Sequence, residues 1–221
     1  MNDFETTRWG LIEQARSFDV GASRQALGEL CQIYRPAILA YARAILHKDD
    51  AEDLTQAFFV KFIEARMDQR ADQERGRFRG LLKVAFKNFI ANEQQKMAAF
   101  KRTAVDVLFV DGVETPEIAF DKAWAKVLAK RAIVRLHVEA AANNRQALFS
   151  ALLPYLLEAP EAQALQVLGE QLKIRANTLA VNLKRMRARF RELIKDELLQ
   201  TVSSQSEFLH ESQDLRSSMG V

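Results

Sequence analysis

Residues that interrupt a helix are scarce in this chain. Eight glycines and four prolines are all that break up 221 residues. Between them Ala, Leu, Arg, Glu and Gln dominate, the residue types that lose least on entering a helix. The expected fold class is therefore all-α, and a chain of this length buries a sizeable core within one or two domains. Two small helical domains fit. No apolar run approaches the roughly 20 residues needed to span a bilayer, and the N-terminal MNDFETTRW has neither a basic nor an apolar targeting segment. A soluble, cytoplasmic protein without a membrane partner is expected. Its one cysteine, Cys31, sits among helix-spaced apolar residues in LGELCQIY, where a thiol behaves as a small core hydrophobe. Disulfide and zinc readings fall away with it.

The net charge is a modest +3, but its distribution carries more information than its sum. From Lys48 to Glu64 the acids Asp49, Asp50, Glu52, Asp53 and Glu64 face only Lys48 and Lys61. From Arg75 to Arg102 the sign reverses, with Glu93 alone opposing a run of Lys and Arg. Residues 103–121 are acidic again, through Asp106, Asp111, Glu114, Glu117 and Asp121, and contain the breakers Gly112 and Pro116. From Lys173 to Arg191 every charged residue is basic. Two basic blocks around an acidic linker read as two nucleic-acid-facing modules, because clustered cations are the footprint of phosphate binding. Solvated helix faces are the plainer alternative.

The second block carries a more specific pattern. In EAQALQVLGEQLKIRANTLAVNLKRMRARFRELI, apolar residues Ala164, Leu165, Leu168 and Leu172 fall at helical spacing. A short break follows at Lys173 and Ile174, and Leu179, Leu183, Met186, Phe190 and Leu193 resume the period. This is a helix-turn-helix pattern, whose second helix enters the major groove with its N-terminal residues nearest the bases. Arg175, Asn177, Thr178, Asn182 and Lys184 are candidate readers of bases or adjoining backbone, and Arg185, Arg187 and Arg189 candidate phosphate contacts. The turn lacks the glycine often found there, with Lys173 in its place, and an ordinary basic αα-hairpin remains the alternative.

Taken together, DDAEDLTQAFFVKFIE at 49–64, DQERGRFRGLLKVAFKNFIANEQQK at 72–96 and LGEQLKIRANTLAVNLKRMRARFRELI at 168–194 resemble the bacterial RNA polymerase sigma factors of the extracytoplasmic-function group. TTRWGLIEQAR and RQALFSALLPYLLE resemble its kinase-associated, planctomycete-like branch. The resemblance implies a region 2 domain over 1–102 that binds core polymerase and reads and melts the −10 element. It further implies a linker over 103–121, a region 4 domain over 122–202 whose helix-turn-helix reads the −35 element, and a tail over 203–221. The implied partners are promoter DNA, the β′ clamp and β flap of core polymerase, and a Ser/Thr kinase or an anti-sigma protein as regulator.

Residue physics can be set beside those roles. On a helix over 51–66, Leu54, Phe58, Phe62 and Ala65 form an inward stripe, while Asp50, Glu52, Asp53 and Gln56 are the implied polymerase contacts. Acids at a helix start are also favoured by the macrodipole, a structural reading of the same residues. Family members often carry an acid or glycine where this chain has Ala57. Thr55 lies at the edge of the stripe, as a packing residue or as the candidate phosphosite. A phosphate there would add about −1.5 to −2 charges. Beyond it, residues 67–77 read as a loop able to pocket an extruded base. Residues 78–96 read as a helix with Leu82, Ala85, Phe86, Phe89 and Ile90 inward. Arg77, Arg79, Lys83, Lys87, Asn88 and Asn92 are its candidate −10 contacts. Asn88 is the best match to the family's reader; Leu81 and Asn92 stand where members often have tryptophan and aspartate.

No phosphate-binding glycine loop, nucleophile elbow or HExxH stands in the sequence, and its three histidines are scattered. The acids at 49–53 lack the glycine and distal glutamate of a calcium loop. Neither an enzyme nor a cofactor is expected. Two further function classes stay open: a stand-alone helix-turn-helix regulator that works without polymerase, and a helical protein-interaction adaptor.

Overall fold

In a computed structural model, the structure describes residues 8–46, 48–67, 78–100, 114–161, 163–199, 208–210 and 212–213. Its elements are all helical: α1 (Arg8–Ala15), α2 (Val20–Arg43), α3 (Lys48–Glu64), α4 (Phe78–Phe100), α5 (Pro116–Ala142), α6 (Gln146–Leu152), α7 (Ala164–Leu172) and α8 (Ala176–Leu199). A 3-10 turn at Leu153–Tyr155 follows α6. No helix among the described residues is long and apolar enough to cross a membrane.

The chain divides into two compact units, Met1–Val127 with Leu198–Val221, and Leu128–Glu197. The division falls inside α5, later than the linker expected over 103–121. Residues 103–113 of that linker, and 68–77 of the expected base-pocket loop, lie outside the described residues. Of the tail, 208–210 and 212–213 are described and helical.

In the first unit, α2 begins at Asp19, whose Oδ1 accepts from the backbone N–H groups of Gly21 (2.8 Å) and Ala22 (3.1 Å), satisfying two of the donors a helix start leaves bare. The carbonyl of Ala15 at the end of α1 is held by the Ser23 hydroxyl and by the Arg66 guanidinium. Packing is dominated by aromatic rings. Trp124 of α5 stacks on Tyr34 of α2 at 4.6 Å between centroids and 6° between planes. Tyr34 meets the edge of Phe78, Phe62 meets Phe78, and Phe58 and Tyr41 both meet Phe86. These rings join four helices into one core, since each ring buries about 150–250 Å². Phe78 and Phe86 are thus core residues, as their helical spacing implies, and Phe120 and Trp124 join them.

That packing carries the start of α5 into the first unit. Glu117 accepts from the Tyr41 hydroxyl at 3.1 Å, and burial together with this carboxylate pushes the phenol up to about 12. The carboxylate of Asp121 takes both Arg79 and Lys83. Glu117 and Asp121 of the expected linker are therefore internal partners of α2 and α4.

In the second unit, Leu152, Leu179 and Leu183 form a buried cluster, with Leu148, Tyr155, Leu165, Leu168, Leu172, Ile174 and Met186 packed around it. Glu197, 2% exposed, receives Arg131 at 2.7 Å and Arg135 at 3.3 Å. A buried carboxylate is tolerated because two guanidinium groups replace its lost hydration.

Replacing Trp124 by Ala removes the largest wholly buried side chain and is expected to lower the unfolding free energy of the first unit by about 3–5 kcal/mol. Urea unfolding followed by far-UV circular dichroism reads the loss as a lower midpoint.

Candidate functional site

Three exposed helix faces carry the residues singled out in the sequence, and each loses part of its expected membership to internal pairing. On α3, the apolar stripe is rotated from the expected one. Ala51, Thr55, Phe58, Phe59 and Phe62 are buried, whereas Leu54 is half-buried and Ala65 exposed. Phe58 and Phe62 are buried in either arrangement, but burying Phe59 removes more apolar area from water than burying Leu54 would, and the helix turns accordingly. Thr55 thereby moves from the edge of the stripe to its centre, at 0% exposure. Its Oγ1 is buried with no hydrogen-bond partner. The candidate phosphosite is thus a core residue of this fold, its hydroxyl shielded from solvent.

Asp50, Asp53 and Gln56 lie on the opposite, exposed side of α3. Glu52 does not join them: its two carboxylate oxygens bind Arg35 at 2.5 Å and Arg43 at 2.8 Å, tying α3 to α2. Beside Asp53 and Gln56 runs an open groove between α3 and α4, floored by Ala57, Val60 and Phe89 and bordered by Glu64, Glu93 and Lys61. Phe89 and Glu93 escape a sequence reading of this face because they belong to another helix. Their i, i+4 spacing on α4 is the signal that places them together. The groove is acidic at its borders and apolar at its floor, with Val60 50% exposed.

On α4, Lys87, Asn88 and Asn92 are exposed, together with Val84. Arg79 is not available to DNA as expected, being 5% exposed with Nη1 at 3.1 Å from Asp121. Lys83 is likewise engaged, its Nζ at 3.1 and 3.3 Å from the two oxygens of Asp121 and 5.5 Å from the centre of the Phe120 ring. Arg77 lies outside the described residues.

The third face belongs to α8, joined to α7 by Lys173, Ile174 and Arg175. Lys173 adopts the left-handed conformation (φ 55°, ψ 37°) and its N–H closes on the end of α7, the role glycine usually takes. The glycine that makes the turn possible stands four residues earlier. Gly169 is buried, and a Cβ added there would lie 2.5 Å from the Ile174 carbonyl oxygen. The absence of a side chain lets the turn fold back against α7. The sequence reading looked for glycine in the turn and missed it in the helix.

Beyond the turn, Arg175, Asn177, Thr178, Lys184 and Arg185 are exposed. Asn182 is half-buried and donates from Nδ2 to the Thr178 carbonyl at 2.9 Å. Arg187, expected at DNA, instead donates from Nε and Nη2 to the Tyr155 carbonyl (3.2 and 2.7 Å) and from Nη2 to the Glu158 carbonyl (2.6 Å). It closes the carbonyl end of the 3-10 turn, where a cation is favoured. Arg189 is held by Glu139 and Glu192, and its hydrogen bonds to Glu139 and then to Glu192 raise its pKa above the ordinary arginine value.

The Cys31 thiol is pushed up to about 11 by burial, which removes thiolate at neutral pH. Among the described residues no group of three or more His, Cys, Asp or Glu side chains could hold a metal ion.

Four substitutions check this account. Thr55→Val replaces a buried unpartnered hydroxyl by a methyl of the same shape and is expected to raise stability by about 1 kcal/mol, whereas Thr55→Glu, which must bury a charge, lowers it. Gly169→Ala is expected to cost about 1–3 kcal/mol. In contrast, Gly28→Ala, where an added Cβ meets nothing within 4 Å, gains about 0.5–1 kcal/mol. Thermal unfolding of the four variants distinguishes the signs.

Comparison of the chain with protein-family models, with characterised proteins and with solved structures finds no match in any of the three.

Proposed function

We propose that the chain is a promoter-specificity subunit that binds core RNA polymerase and directs transcription initiation. The observation that supports this reading best is the separation of two unlike exposed faces. The α3 face presents Asp50, Asp53 and Gln56 beside an acid-bordered groove, while α8 presents Arg175, Asn177, Thr178, Lys184 and Arg185 after a tight turn. A repressor that acts on DNA alone needs the second face and has no use for the first. An acidic face steers and orients association with a basic protein surface, such as the polymerase clamp, while amide, hydroxyl and guanidinium groups on one helix suit base edges and phosphates.

In this mechanism nothing is hydrolysed. The α3 face docks on the clamp, the β flap supports the second unit, and α8 reads the upstream promoter element. Lys87, Asn88 and Asn92 of α4 meet the downstream element, where unpaired bases are captured by binding energy. Phosphorylation of Thr55 by a Ser/Thr kinase does not belong to the proposal, because its hydroxyl is buried. Regulation by an anti-sigma protein is compatible with the same acidic groove.

One observation favours the second reading, a stand-alone helix-turn-helix regulator: with Arg79 and Lys83 engaged by Asp121, the first unit has fewer cations to offer DNA. In vitro transcription decides between the two. With core polymerase and genomic fragments, the chain is expected to produce discrete start sites sharing upstream sequence. Changing Asp50 and Asp53 to Lys is expected to weaken core binding about tenfold, and changing Lys184 and Arg185 to Ala to abolish start-site selection without loss of core binding. Sequence-selective DNA binding with no effect on initiation would establish the second reading instead.

A further inference from the structure

The exposed face of α8 contains a residue that neither its helix nor its core explains. Val181 is 42% exposed, and apart from Leu199 at the last position it is the one large hydrophobe that α8 leaves exposed. At about 100° per residue, it lies about 200° around the helix from Leu179, which is wholly buried, and so faces directly away from the core. A β-branched residue is a poorer helix former than Ala or the long polar residues, so helix formation does not account for it either.

Its surroundings do. Asn177 stands one turn before it and Lys184 and Arg185 one turn after, all exposed. Arg187 and Arg189, which the sequence places on the same basic helix, are turned to internal partners. Val181 is therefore an apolar surface at the centre of a polar face, with a base-reading amide on one side and phosphate-binding cations on the other. In the major groove the edges of the bases offer one apolar group, the C5 methyl of thymine.

Resting on the DNA-facing reading of α8, we infer that Val181 reads the methyl group of a thymine and so sets sequence preference at one position of the target. Asn177 is suited to the N6 and N7 atoms of adenine. The two residues are separated by about 6 Å along the helix axis, so the thymine lies within about two base pairs of the position read by Asn177, given about 3.4 Å per step. The preferred element is accordingly A·T-containing at its centre, and the cations of the following turn fix the register without selecting sequence.

The test uses the full chain, alone and bound to core polymerase, to select short duplexes from a random-sequence pool. Each thymine of the enriched duplex is then replaced singly by uracil, which removes the methyl and nothing else. At one position the replacement is expected to weaken binding by wild type about three- to fivefold, the worth of one buried methyl. Val181→Ala is expected to bind the thymine and uracil duplexes alike, and Val181→Ile to keep the distinction. Because Val181 is exposed, circular dichroism should show both variants folded. Enrichment of a sequence with no uracil-sensitive position, or equal sensitivity in Val181→Ala, overturns the inference while leaving α8 as the DNA-binding helix. Enrichment of no sequence under either condition overturns the DNA-facing reading and the inference with it.

Discussion

Trp124 stacked on Tyr34 is the contact on which the first unit depends. The two rings lie nearly parallel, and both are about 1% exposed. Neither could leave the other without opening a cavity at the centre of the unit, a loss too large for a protein of marginal stability to absorb. Because Trp124 must be there, the start of α5 must be there too. Asp121 then lies one turn away, next to Arg79 and Lys83, and Glu117 beside Tyr41. A stacking interaction thereby decides where two acids and two cations of distant sequence are placed.

That consequence bears directly on how charge is to be read. The run of bases from Arg75 to Arg102 looks like a DNA-binding strip when written as a line, but two of its members on α4 neutralise an acid of α5. The same holds on α8, where Arg187 serves backbone carbonyls and Arg189 serves Glu139. A low-dielectric contact with a fixed partner is worth more to a guanidinium than a screened position at the surface. Arg79 is turned inward in this way, whereas Arg189 holds its acceptors with its side chain still 42% exposed. Among the described cations of the two basic blocks, Lys87 on α4, Lys173 and Arg175 in the turn, and Lys184, Arg185 and Arg191 on α8 stay exposed. If α8 faces DNA as proposed, selectivity in such a face would rest on its amides and its one valine more than on its total charge.

The acidic side of α3 shows the converse. Glu52 bridges two arginines of α2 and holds the helix in place, while Asp50 and Asp53 remain at the surface beside a groove floored by Phe89 of another helix. Of four acids in five positions, Glu52 is held by α2 while Asp49, Asp50 and Asp53 stay exposed. Thr55, in the same helix, is decided by packing as well: the rotation that buries Phe59 carries it into the core.

The predominance of helix was legible in the sequence, because propensity and 3.6-residue periodicity act within a few residues. So were the inward residues of α8 and the existence of a turn at Lys173 and Ile174. The rotation of α3 was not, since a helical wheel weighs residues without knowing which neighbouring helix covers them. The role of Gly169 was not, because it depends on a backbone carbonyl folding back across the turn. Nor could the sequence tell bound cations from available ones. Lys83 finds Asp121 across 38 positions, and Arg187 finds Tyr155 across 32. The sequence alone determined that the described elements are helical and where the turn before α8 falls. Tertiary structure alone decided which charges remain at the surface, because an ion pair is set by distance in space.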